Sequence, residues 1–483
     1  MNRAQLLING ELRDAQGGKT FKRINPVTGE VATIAAAAQP ADVQAAIEAA
    51  AQAFKSWSAL GPTERRQRLL RAADLMEQRS TDFIRIARQE TGSTTAWYGF
   101  NAHLAANILR EAAAMTTQVQ GAVIPSDVSG NISLSMRVPC GVVLSIAPWN
   151  APMILSTRAI AMPIAYGNTV ILKAAEISPA THVLVGEVFN EAGVGPGVVN
   201  VLTNDPTDAP TIVEQLIAHP AIRRVNFTGS TKVGRIIATV AAQHLKPVVL
   251  ELGGKAPAII CADADLEQAV AGVAFGAFFN QGQICMSTER ILVDERIADE
   301  FMTQLVAKAQ SIVVGNPADP DTTFAYLESQ QSAERIRALV TDAVEKGAQL
   351  PLPLRIEGAQ MYPLIVDNIR PEMKLYAEES FGPVVTVERF KHIEEAIEQA
   401  NNTSYGLSAA VYSQNINQAL SIAQRIDSGI CHINGPTVHD EAQAPFGGLK
   451  ESGYGRFGSR AAIYEFTEER WVTIQTTPRQ FPL

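Results

Sequence analysis

Between Gly141 and Gly254 the chain alternates apolar, β-branched runs with helix-period segments, and this alternation limits its fold more than any other feature. GVVLSIAPWN (141–150) reads as a strand, and an apolar helix follows from about Pro152 to Ala165. NTVILKAAE (168–176), VVNVL (198–202), RRVNFTGS (223–230) and PVVLELGG (247–254) read as further strands, with helical segments between them. Ser178-Pro179 opens one of those helices, with Ser178 as its cap. Strands that alternate with helices predict βαβ units and a parallel sheet. Ligands of such sheets bind beyond the carboxyl ends of the strands. Asn150, Lys173, Ser230 and Glu251 all fall at such ends, so the fold brings together four polar residues spread over a hundred positions.

The flanking sequence extends this frame. Helices are expected from Pro40 and from Pro62, the second with Thr63 as a possible cap. A second α/β region follows Glu251, with helices near 266–279 and 295–311 and a glycine-rich end, PFGGLKESGYGRFG. Residues 120–139 suggest a protruding hairpin, and ERWVTIQTT alternates like a strand; such outlying strands can pair across a subunit interface. With 483 residues, 46% of them hydrophobic and 18% charged, the chain is globular and longer than one domain. A net charge of −9 argues against nucleic-acid or anionic-membrane partners. No apolar run approaches the ~18 residues of a membrane span. Four scattered cysteines form neither a disulfide framework nor a zinc site, so the chain reads as cytoplasmic, with reduced thiols and no metal.

Three residues invite chemistry. Cys285, in FFNQGQICMSTER, follows a helix and the flexible pair Gln281-Gly282; it is a nucleophile or a small buried hydrophobe. Glu251 closes an apolar strand and is either a general base with a raised pKa or the partner of a cation such as Lys255. Asn150 caps the next helix or donates its amide to an oxyanion. FTGSTKVG sets Gly229 and Ser230 between a strand and a helix, where free N–H groups suit a pyrophosphate, although the spacing is not G-x-G-x-x-G. Gly193-Val-Gly195-Pro-Gly197 precedes a strand and reads as a turn.

PWN (148–150), KAAE (173–176), FTGST (227–231), LELGGK (250–255), FNQGQICMSTER (279–290), EESFGP (378–383) and PFGGLKESGYGR (445–456) occur in that order, with Glu251 and Cys285 34 residues apart. Together they resemble the NAD(P)-dependent aldehyde dehydrogenase superfamily. The resemblance implies an α/β fold of three parts: a Rossmann-type NAD-binding domain (1–117 and 140–251), an α/β catalytic domain (252–464) and a small β oligomerisation unit (118–139 and 465–483). A homodimer or homotetramer is implied. So are the roles: Cys285 as nucleophile, Asn150 and the Cys285 N–H as oxyanion hole, and Glu251 as the base that activates water. Ile146, Trp149, Lys173, Glu176, Gly229, Ser230, Gly234, Leu252, Gly253, Glu379 and Phe381 would bind the cofactor. Glu176 would repel a 2′-phosphate, which favours NAD over NADP. Two departures stand out: a Gly-Pro pair is absent near Ala325-Tyr326, and Phe457 occupies a position where some members carry a proton-relaying Glu.

Ala151 directly after Asn150, together with AWYGFNAH (96–103) and HINGPTVHDEAQAPFGG (432–448), is similar to the aromatic-aldehyde subgroup that includes vanillin and salicylaldehyde dehydrogenases. Trp97, Tyr98, Met153, Ile154, Arg158, Ile284, Met286 and Phe446 are the expected substrate lining. Arg158 would meet a phenolic oxygen or pair with an acid. The alternatives are a dehydrogenase of broad or aliphatic specificity, or a cofactor-independent thiol esterase, which would need a histidine beside Cys285.

Overall fold

A computed structural model describes residues 1–482; the proposed oligomerisation segment ends on Leu483, outside the described residues. Its largest sheet has eight strands in the order Gly453–Tyr454, Val248–Glu251, Ile222–Thr228, Val142–Ile146, Thr169–Lys173, Val199–Leu202, Leu6–Ile8, Glu11–Arg13. The five strands expected from the alternating region lie side by side and parallel. Antiparallel strands close both edges. Helix Pro152–Ala165 is buried at every residue. That explains its largely apolar sequence, because a helix covered on all sides has no polar face to keep. Gly193, Gly195 and Gly197 all have positive φ just ahead of strand Val199–Leu202, so this glycine cluster is a turn.

Two expected caps are replaced. Thr63 lies inside the first turn of helix Pro62–Gln78, whose cap position is taken by Gly61. Ser178 precedes helix Pro179–Glu191 without capping it. Instead the buried Glu90 carboxylate accepts from Ala180 N (2.9 Å), Thr181 N (3.1 Å) and Thr181 Oγ1 (2.7 Å). A carboxylate suits the positive end of a helix, and its long-range origin hides it from local sequence.

The second region forms a six-stranded parallel sheet in the order Leu364–Asp367, Val384–Phe390, Thr288–Asp294, Ala256–Ile260, Ser408–Tyr412, Ile430–Ile433. Strand Gly453–Tyr454 crosses back and pairs with Val248–Glu251, setting Gly453 opposite Glu251. The third sheet is antiparallel: hairpin strands Ala122–Ile124 and Asn131–Pro139, with Thr467–Gln475 paired along the whole of the second. Among the described residues, no helix is long and apolar enough to cross a membrane, and no His/Cys/Asp/Glu group could hold a metal ion.

Candidate active site

Cys285 sits between helix Leu266–Phe278 and strand Thr288–Asp294, after a tight turn at Asn280, Gln281 and Gly282. All three have positive φ (48°, 57° and 69°). Each non-glycine residue in this region costs about 1–2 kcal/mol, so neighbours must hold it there. Asn280 Nδ2 donates to the carbonyls of Asn150 and Gln283, both at 3.3 Å, and Ser93 Oγ bonds Asn280. The Gln281 amide, turned to satisfy both ends, accepts from Ala325 N (3.1 Å) and donates to Tyr326 O (3.3 Å). The backbone near Ala325-Tyr326, which lacks a Gly-Pro pair, is therefore clamped to this turn. Gly254 closes the packing: a Cβ there would lie 2.3 Å from the Cys285 carbonyl oxygen.

Asn150 is tied into the same turn. Its Nδ2 donates to Gln283 O at 3.0 Å, leaving a second amide proton free. Its carbonyl accepts from the Trp97 indole N–H at 2.9 Å. Helix Pro152–Ala165 starts with no side-chain cap, so Asn150 is not a capping residue.

Glu251 is 1% exposed, and neither carboxylate oxygen has a hydrogen-bond partner. Lys255 does not supply one; it pairs with Glu289 at 2.6 Å. Burial raises the Glu251 carboxyl to about 7, against smaller downward pulls from the neighbouring Cys285 thiol and Arg158. Burial also pushes the Cys285 thiol well above its usual value, and the charge of Glu251 adds to that push. Charge on Glu251 thus holds the Cys285 thiol protonated, while the neutral thiol favours the carboxylate. His432 and His439, the candidates for a thiol partner, instead meet each other edge to face at 4.9 Å.

A cleft of about 390 Å³ opens onto this pair. Asn150, Glu251 and Cys285 line it, with Trp149, Gly229, Ser230, Leu252, Gly253, Glu379 and Phe381. Ser230 begins helix Thr231–Gln243, and its Oγ accepts from Val233 N at 3.4 Å. Gly229 and Ser230 line the cleft at this helix start, whose unpaired N–H groups suit an anion. Glu379 Oε1 accepts from Gly254 N at 2.8 Å, and a Cβ on Gly253 would reach within 2.5 Å of Glu379 Oε2. These residues fit a dinucleotide: a helix start for phosphate, a carboxylate for a ribose, and the edge-to-face rings of Trp149 and Phe381, 5.9 Å apart. Ile146, Lys173, Glu176 and Gly234 do not line the cleft. Lys173 and Glu176 pair with each other at the end of the neighbouring strand, and Asn204 Nδ2 donates to Glu176 at 3.0 Å. Gly234 lies within the helix, packed on Leu252. Sequence reasoning missed Glu328, Ser332 and Arg335, which line the cleft from a segment carrying no local signal.

Trp97, Tyr98, Met153, Ile154, Ile284, Met286 and Phe446 belong to one large apolar cluster, against which Cys285 packs. Tyr98 bonds Thr91 through its hydroxyl. Arg158 lies over the Phe446 ring at 4.4 Å and pairs with Asp440 at 2.5 Å. Phe457 is buried and exchanges backbone hydrogen bonds with Phe446, so no relay carboxylate stands there.

A nucleophilic thiol, an unpaired buried carboxylate, an amide donor and a dinucleotide-shaped cleft define the site of an aldehyde-oxidising enzyme. Residues 12–472 match the aldehyde dehydrogenase family, and the chain belongs to that family. It is an oxidoreductase of the NAD(P)-using kind. A vanillin dehydrogenase of Pseudomonas fluorescens is 58% identical over 478 residues, 99% of either chain. The crystal structure of a salicylaldehyde dehydrogenase from Pseudomonas putida, complexed with salicylaldehyde, superposes with a TM-score of 0.98 at 47% identity, over 100% of both chains. A betaine aldehyde dehydrogenase of Staphylococcus aureus, solved with NAD+, follows at 0.94 and 32% identity, covering 99% of this chain and 95% of that one.

Proposed function

We propose that the enzyme oxidises benzaldehyde-type aldehydes to their carboxylic acids with NAD as the acceptor. The observation that carries this reading is the buried, unpaired Glu251 beside Cys285, with the Asn150 amide anchored to the thiol's own loop. The aromatic substrate is supported by the apolar cluster around Cys285, by the small Ala151 and by the vanillin and salicylaldehyde dehydrogenases to which the chain is similar.

Because burial disfavours the thiolate, Cys285 needs a base, and Glu251 is the neighbour able to take its proton. Attack of the sulfur on the aldehyde carbon leaves a tetrahedral alkoxide. The free amide proton of Asn150 and the Cys285 N–H stabilise it; one such donor contributes roughly 2.7–4 kcal/mol. The dinucleotide, when bound, supplies the hydride acceptor. Loss of hydride from the tetrahedral carbon leaves a thioester on Cys285. Glu251, once it has released the thiol's proton, takes a proton from water; the hydroxide adds to the thioester, and the acid departs as that second proton returns from Glu251 to the sulfur. With Phe457 in place of a relay carboxylate, the proton leaves Glu251 through the open cleft.

The cofactor would lie along the cleft, its pyrophosphate at Gly229-Ser230, its nicotinamide ribose at Glu379 and its adenosine ribose at Lys173 and Glu176. The carboxylate of Glu176, held by Lys173 and Asn204, favours NAD by repelling a 2′-phosphate. Residues 1–117 with 140–251, and 252–464, act as cofactor and catalytic domains, in the cytosol, where the four free thiols stay reduced. The test is formation of reduced cofactor across a panel of aromatic and aliphatic aldehydes. The expected result is higher kcat/KM for benzaldehydes than for alkanals, and with NAD than with NADP. Preference for short alkanals would overturn the substrate assignment.

A further inference from the structure

We propose that Asp440 reads a hydroxyl group on the substrate ring, its free carboxylate oxygen accepting the phenolic O–H of a hydroxylated benzaldehyde held at Cys285. The proposal rests on the functional reading above and deepens it. Asp440 and Arg158 form a buried pair, their side chains 10% and 6% exposed. Arg158 Nη2 donates to Asp440 Oδ2, whereas Asp440 Oδ1 is buried without any partner. A carboxylate paired with a guanidinium is an acceptor only, and a desolvated acceptor lacking a donor is costly. Such an atom next to a reaction site marks a place where a ligand brings the donor.

Its position fits. The Arg158 guanidinium lies over Phe446, which belongs to the apolar cluster that packs on Cys285. Asp440 also lines a second cavity, of about 470 Å³, that opens to solvent beside helix Thr95–Met115 through Phe100, His103 and Leu104. Neither Asp440 nor Arg158 lines the dinucleotide cleft, so the pair belongs to a different surface of the site from the cofactor. Arg158 is close enough to act electrostatically on both Cys285 and Glu251, and Asp440 on Glu251. Apolar walls hold a ring but are indifferent to its substituents. A buried carboxylate oxygen distinguishes a ring that carries an O–H from one that does not.

The experiment compares kcat/KM for benzaldehyde and its 2-, 3- and 4-hydroxy derivatives in the wild type, in Asp440→Ala and in the double variant Arg158→Met/Asp440→Leu. The double variant replaces the pair with apolar side chains, so that no unpaired guanidinium is left in the interior. The wild type is expected to favour at least one hydroxybenzaldehyde over benzaldehyde by about ten- to hundredfold, the range for a hydrogen bond to a charged group. Both variants should bring that ratio close to one. A role in packing alone would lower turnover of every aldehyde alike and leave the ratio unchanged, which would overturn the assignment. So would a wild type with no preference for a ring hydroxyl. Failure of the wild type to oxidise benzaldehyde at all would instead overturn the functional reading, and this assignment with it.

Discussion

Glu251 is the residue on which the chemistry turns. As a base it works ionised, so hydrolysis of the thioester should speed up as pH rises through about 7 and level off above. Single-turnover kinetics across pH 5–9 would check this. The same shift bears on stability with a definite sign. The folded value lies above the ordinary 4.5, so the unfolded chain loses the proton first as pH rises. Stability is therefore complete below about 4.5 and falls as pH climbs through 7, by up to about 3 kcal/mol. Glu251→Gln should accordingly raise Tm at pH 8 and leave it unchanged at pH 4; an equal Tm at pH 8 would contradict the burial argument. Trp97 acts through Asn150. Trp97→Phe keeps the ring but removes the donor to the Asn150 carbonyl, and kcat should fall about tenfold for the loss of one buried hydrogen bond. KM for the cofactor should not change. Loss of cofactor binding instead would place Trp97 in the cleft.

At the scale of elements, the sequence made the parallel strands legible, because apolar runs broken by helical periods have few other solutions. Asn150, Ser230 and Glu251 could be placed at one edge from that pattern alone. What stayed hidden depends on partners distant in the chain. Asp440 lies 282 residues from Arg158, and nothing local to either announces the pair. Lys255 was an open candidate for Glu251, yet it meets Glu289 from the next strand of the second sheet. Glu289 in turn accepts from Ser380 N (2.8 Å) and Phe381 N (3.1 Å), and so fixes the loop that carries Glu379 and Phe381, with Phe381 at φ 46°. Glu289→Ala should leave Lys255 buried and unpaired, at a cost of about 3–5 kcal/mol measurable by denaturant unfolding. It should also raise KM for NAD more than KM for the aldehyde; equal effects would show that the loop does not depend on Glu289.

At the scale of the whole molecule, the site exists because the second α/β region lends an edge strand to the eight-stranded sheet. Strand Gly453–Tyr454 carries the glycine-rich end of the chain back to Glu251, so the base, the thiol and the cleft are held by both α/β regions at once. The third sheet stands apart from this chemistry. It leaves Val123 (76%) and Trp471 (72%) exposed, and we infer that the unit of 118–139 and 465–483 joins subunits. Light scattering should then give two or four times the mass of one chain, and Trp471→Asp should lower it; a monomeric wild type would contradict this reading. The central claim is that Cys285 carries the acyl group and Glu251 releases it. The most direct test mixes Glu251→Gln rapidly with benzaldehyde and NAD, then follows reduced cofactor and the intact mass of the protein. The account predicts one reduced cofactor per active site, followed by a stall with a single benzoyl group on Cys285. Steady turnover at the wild-type rate, or an acyl group on any other residue, would contradict it.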